Sequence, residues 1–194
     1  MTWGASGSLA DVSNTNQLWV TSGILAQFTG NALGIYKCPA DHYLSKAQQS
    51  KGWAARLRSN SMNALFGFSG TDGANDSNGH AWIDPQWRQF LKTSQIPQPS
   101  QTWLTLDEHP DSINDSFFIT AYNAGNWQDT PASYHNGACG FSFADGHAEV
   151  HKWLSGATSV YPVKYTDGVA ARSFDAKGKL DFQWYQDRTG YTKY

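Results

Sequence analysis

The stretch from Ala138 to Trp153 constrains the fold more than any other part of the chain. Phe141 and Phe143 alternate with small or polar residues, the two-residue period of a strand buried on one face. Asp145-Gly146 follows, a dipeptide suited to a two-residue type I′ turn because that turn needs positive φ at both central positions. Alternation then resumes, with Ala148 and Val150 on one face and His147, Glu149 and His151 on the other. The sequence therefore predicts a β-hairpin over 139–153.

Around this hairpin the other elements are weaker. Leu18, Ile24, Leu25 and Phe28 fall at near-helical spacing, which predicts a short amphipathic helix over 17–28. Residues 35–38 read as a short strand halted by Pro39, and Asp84-Pro85 as the cap and first turn of a helix reaching about Thr93. Strands are predicted over 102–106 and 117–122. The tail from Ser155, interrupted by Gly156, Pro162, Gly168 and Gly178, reads as an irregular wrap anchored by Leu180, Phe182 and Trp184. The expected fold is α+β: an antiparallel sheet of about four strands, short helices on one face, and a long irregular C-terminal segment. No repeat or linker divides the 194 residues, so 1–194 is read as one domain.

Charge and hydropathy exclude some functions. A net charge of −2 gives no basic face for nucleic acid. No segment approaches the ~20 apolar residues of a membrane span, and no secretory leader is visible.

Several groupings could carry chemistry. Asp107, Glu108, Asp111, Asn114 and Asp115 bring five oxygen-bearing side chains into nine residues, a composition suited to Ca²⁺ without the EF-hand pattern. The alternative is a turn whose Asp and Asn side chains cap their own backbone around Pro110. His147, Glu149 and His151 share a strand face and, with His135 or His109, could ligate a transition metal; the alternative is an exposed polar face. Ser112 or Ser142 could join His and Asp in a hydrolytic triad, whereas Gly67-Phe68-Ser69-Gly70 does not complete a nucleophile elbow. Cys38 and Cys139 are either a disulfide or two separate thiols; a bridge would contribute ~4–5 kcal/mol by chain entropy. Nine Trp either fill the core or build a sugar-stacking surface.

One resemblance links these stretches. His135, nine intervening residues and Asp145-Gly146 resemble the signature of the prepilin-type processing-associated H-X9-DG family. Three further elements accompany it in order: Cys38-Pro39-Ala40-Asp41 ("CP-x-D"), Arg58-Ser59-Asn60-Ser61-Met62-Asn63 ("RS-x-SMN"), and Asp107-Glu108-His109-Pro110-Asp111-Ser112-Ile113-Asn114-Asp115 ("DEHPDSIND"). The resemblance implies a pilin-like domain that belongs with an N-terminal apolar helix packed across its sheet; this chain reads as the domain that follows such a helix. It implies a structural subunit of a type II secretion or type IV pilus-like assembly, exported to the cell envelope, with other pilin-like subunits as partners. Membrane contact would come only through the helix. His135 would then fix the strand leading into the hairpin, and Asp145 and Gly146 would form its turn. A calcium-binding loop in the major pseudopilins adds weight to the 107–115 loop by analogy. The alternatives are an esterase-like hydrolase on a pilin-like scaffold and a polysaccharide-binding module using exposed Trp.

Overall fold

The computed structural model describes residues 15–67, 81, 84–114, 116–164 and 171–192. Five strands, β1 (Asn60–Asn63), β2 (Trp103–Asp107), β3 (Phe117–Phe118), β4 (Ala138–Phe143) and β5 (Ala148–Lys152), form one sheet in the order β3-β1-β2-β4-β5. All neighbours are antiparallel except β1 and β3, which are parallel. The α+β class is as expected, but the sheet has five strands and is mixed. The additional strand, β1, lies in Asn-Ser-Met-Asn and has no apolar alternation to mark it. Its inward positions, Ser61 and Asn63, are buried because they are hydrogen-bonded. Asn63 Nδ2 donates to the carbonyls of Trp103 and Thr189. The strand predicted over 117–122 stops after Phe118, because the N–H groups of Ile119 and Ala121 go to the side chains of Asp129 and Gln128.

The hairpin forms with a different turn. Phe143 N donates to His147 O, and Gly146 N donates to Phe143 O, leaving three residues in the loop. A three-residue loop needs a left-handed residue only at its end, and here that is Gly146 at φ +95°. Asp145 instead accepts from His147 N. A dipeptide with positive φ at both positions does occur nearby, at Asn136-Gly137 (53° and 80°), directly ahead of β4.

The described residues hold three α-helices: α1 (Leu18–Thr21), α2 (Lys46–Ser50) and α3 (Ala176–Thr189). The predicted 17–28 helix is interrupted after Thr21 and continues only as a 3-10 turn at Ala26–Phe28. Leu18, Ile24, Leu25 and Phe28 do not face a core; they are exposed. Residues 33–36 form a 3-10 turn in place of the predicted strand. The predicted helix after Asp84 is absent: Asp84 Oδ1 takes the Gln86 N–H in a turn, and Trp87 and Phe90 then bridge to Thr192 and Phe66 as extended chain.

The largest correction is the tail, which holds α3. Asp175 caps it by accepting from Gly178 N. Its buried residues are Gly178, Asp181, Phe182, Tyr185 and Thr189, the helical spacing of a single face. Phe182 and Tyr185 pack with Trp103, Leu106, Phe118, Trp127, Phe141, Phe143 and Trp153 to make the main core on one side of the sheet. Trp103 Nε1 donates to Thr189 Oγ1, Trp153 Nε1 donates to Ala132 O and Tyr185 Oη accepts from Thr120 N, whereas the buried Trp127 Nε1 has no hydrogen-bond partner among the described residues. A smaller core of Leu65, Trp87, Phe90 and Ile119 lies beyond β1.

Candidate site at the motif junction

Three of the four motif elements, and the His135 end of the fourth, lie far apart in sequence and meet at one end of the sheet. Cys38-Pro39-Ala40-Asp41 is a turn closed by Asp41 N donating to Cys38 O, with Pro39 at the position that suits its fixed φ. Asp41, 1% exposed, pairs with Arg56 at 2.5 Å. Arg56 also donates to the Pro110 carbonyl. Ser59 joins three segments: its N–H donates to Tyr36 O, its Oγ accepts from Cys38 N, and its carbonyl accepts from Glu108 N. Tyr134, immediately before His135, donates its hydroxyl to Glu108 O.

Glu108 lies at the centre of this junction and is fully buried. Ser61 Oγ donates to its Oε2 at 2.5 Å, and Ser112 Oγ to its Oε1 at 2.8 Å. Arg58 Nη1 in turn donates to Ser61 Oγ. Burial, reinforced by the nearby Asp129 charge, pushes the Glu108 carboxyl up to about 8. His109 beside it is also buried: its Nδ1 accepts from Asp111 N, so its Nε2 carries the proton and donates to Tyr161 O. Burial lowers its pKa.

At the surface of the junction three different side chains converge. Cys38 Sγ and His135 Nε2 are 3.6 Å apart, and the same Nε2 is 3.6 Å from Asp107 Oδ2. All three ligand atoms lie within 4.8 Å of one another. Asp107 ends β2, and the tight Asn136-Gly137 turn sets His135 just ahead of β4. Gly140 completes the floor, since a Cβ there would stand 2.8 Å from Asp107 Oδ2. The Gly140 N–H favours the charged form of Asp107. Burial raises the pKa of Cys38 and of Asp107, and in Asp107 the neighbouring His135 opposes that rise.

The two cysteines are not joined; both are free. Cys139 points into the core with Leu106 and Phe141, and alternation along β4 puts its side chain opposite the Gly140 face where Cys38 lies. The strand separates the two thiols.

The other predicted groupings go to different places. In the acidic loop, Asp107 faces His135, Glu108 faces the two serines, and Asp111 accepts from Lys164 N. Asn114 is exposed, and Asp115 lies outside the described residues. His147 stacks on Phe143 at 4.3 Å and hydrogen-bonds to Asp145, while His151 stacks on Trp184 at 3.6 Å. Burial pushes His151 down to about 4, so it is neutral near pH 7. Ser112 bonds to Glu108, and Ser142 bonds to Thr105 at 2.6 Å. Gly67 is described but Phe68, Ser69 and Gly70 lie outside the described residues. Trp87, Trp103, Trp127 and Trp153 are buried, and among the described residues Trp19 is the only exposed Trp. A coplanar stacking platform is not formed by these rings.

The grouping of Cys38 with His135 and Asp107 escaped the sequence reading. Each residue belonged to a different motif and was given a separate role. No protein-family model, curated protein or solved structure matches this chain.

Proposed function

We propose that this domain is a structural subunit, pilin-like or pseudopilin-like, that assembles with similar subunits in a type II secretion or type IV pilus-like machine of the cell envelope. The observation that carries the reading is the face of the sheet left open among the described residues. One face is covered by α3, whereas the other carries Thr105, Gly140, Ser142, Ala148 and Val150 along a groove of about 390 Å³. Small side chains let a helix backbone approach a sheet closely, and Val150, 62% exposed, supplies an apolar contact. The segment 18–35 adds Leu18, Trp19, Ile24, Leu25, Phe28 and Ile35 to the exposed apolar surface. An apolar helix lying across the open face, with subunits meeting through such helices, accounts for both features. Export, envelope location and membrane contact through the helix belong to the same proposal.

The coding sequence ahead of residue 1 tests it first. A leader followed by ~20 apolar residues is expected there; an in-frame stop or an unrelated domain refutes the reading. In a chain carrying that helix, Ala148→Arg is expected to block incorporation into assemblies while leaving the thermal midpoint of the isolated domain unchanged. Normal incorporation of that variant counts against the open face as the helix seat.

A further inference from the structure

We propose that Cys38, His135 and Asp107 form a binding site for a divalent transition ion of the Zn²⁺ type, with three protein ligands and a fourth position left for solvent or a partner's ligand.

The first argument is convergence. In a catalytic Cys-His-Asp relay the thiol and the carboxylate address opposite nitrogens of the imidazole, so that a proton passes across the ring. Here both address Nε2, at 3.6 Å each. At 3.6 Å Asp107 Oδ2 is beyond a good hydrogen bond to that nitrogen, while Cys38 Sγ is within sulfur hydrogen-bonding range of it, so the thiol and the carboxylate crowd one nitrogen. Three electron-pair donors within 4.8 Å of one another are close enough to share one ion.

The second argument is metric. Zn–S and Zn–N bonds of about 2.3 and 2.0–2.1 Å at tetrahedral angles place sulfur and nitrogen about 3.5–3.6 Å apart. The observed separation is 3.6 Å. Nitrogen and carboxylate oxygen should be about 3.3 Å apart by the same reasoning, a few tenths of an ångström from the observed 3.6 Å.

Charge and rigidity agree. A thiolate and a carboxylate offer two negative charges to a doubly charged ion, and thiolate with imidazole favours zinc over Mg²⁺ or Ca²⁺. The carboxylate lies against Gly140, where a Cβ would stand 2.8 Å from Asp107 Oδ2, and the Cys38 backbone is held by Ser59. Such outer partners orient ligands and are part of the design of a metal site. The ligands come from three of the four junction elements, so an ion would tie the 38–41 turn to the sheet. The site is independent of the assembly reading and survives its failure.

Cobalt(II) is the probe, added to the purified, reduced and chelator-stripped 194-residue chain. We expect a thiolate-to-cobalt charge-transfer band and intense visible bands of a tetrahedral ion, saturating at one equivalent and displaced by Zn²⁺. Cys38→Ser should abolish the charge-transfer band, with an unchanged far-ultraviolet circular dichroism spectrum. Cys139→Ser should retain it. Gly140→Ala, which displaces Asp107, should weaken cobalt binding by about 10–100-fold. As a measure free of variants, Zn²⁺ should slow alkylation of Cys38 at least tenfold in the intact protein. No charge-transfer band, a band that survives Cys38→Ser, or alkylation indifferent to Zn²⁺ overturns the site.

Discussion

Removing the Asp181 carboxylate should destabilise the domain more than its position on an apparently polar tail would indicate. Asp181 is 1% exposed. Its Oδ1 accepts from Leu154 N at 2.8 Å, and its Oδ2 accepts from Ser155 N at 2.9 Å and Ser159 Oγ at 2.6 Å. In Asp181→Ala the Ser159 hydroxyl can turn to another acceptor, but the two amides cannot. Leaving a buried donor unpaired costs about 1–3 kcal/mol, so two cost about 2–6 kcal/mol. For a domain of this size 1 kcal/mol moves the midpoint by about 2–4 °C, and a central loss of about 4 kcal/mol gives about 8–16 °C. Asp181→Asn keeps one acceptor oxygen but faces an amide donor with its own NH₂, so it should recover only part of the loss. The adjacent Leu180, 60% exposed, is the control; Leu180→Ala should stay within about 0.5 kcal/mol of the parent. Urea unfolding with a common m-value measures all three. A loss below about 1 kcal/mol for Asp181→Ala, or an equal loss for Leu180→Ala, would show that α3 is not held to 153–159 by this carboxylate.

Two further outcomes follow from buried groups. Glu108 has a folded pKa of about 8 against an ordinary value of 4.5. The folded protein therefore keeps a proton that the unfolded chain releases. The stability this proton confers is complete below about pH 4.5 and is lost as pH rises through about 8, at up to about 1.4 kcal/mol per pH unit. Glu108→Gln should flatten the stability curve in that window relative to the parent, and parallel curves would refute the assignment. Gly178→Ala would place a Cβ 2.0 Å from Thr158 Oγ1. Such overpacking should cost about 1–3 kcal/mol despite the better helix propensity of Ala. Adding Thr158→Ala should recover part of that loss, detectable as non-additivity in a double-mutant cycle.

The same residues explain which parts of the fold were legible. β4 was readable because its inward positions, Phe141 and Phe143, are apolar and Gly140 and Ser142 on its other face are not. In β5 the alternation is as regular, but Ala148 and Val150 lie on the outward face and His151 is the residue turned toward Trp184. α3 has equally good periodicity, but three of its five inward positions are Gly178, Asp181 and Thr189. They are buried by close approach and hydrogen bonding, which a hydrophobic pattern does not register. β1 is hidden for the same reason, since Ser61 and Asn63 take the inward positions. Conversely, the apolar spacing at 18–28 was real but served no core, because Leu18, Ile24, Leu25 and Phe28 face outward. Periodicity reports which side is apolar; whether that side is buried is decided by the rest of the chain.

The motifs invert that relation. Asp41, Arg56, Ser59, Glu108 and Tyr134 would be costly in an interior if any one of them lacked its partner. At the junction each supplies what another needs: Asp41 pairs with Arg56, Ser59 joins residues 36, 38 and 108, and Tyr134 reaches Glu108 O. A set of mutually dependent buried polar groups cannot be changed one residue at a time without loss. The fold also accounts for the spacing that opens at His135. The nine residues to Asp145 run through the Asn136-Gly137 turn and the length of β4, so the interval measures one strand. Its two ends have different tasks: Asp145 and Gly146 shape an exposed turn, while His135 is delivered to Asp107 and Cys38.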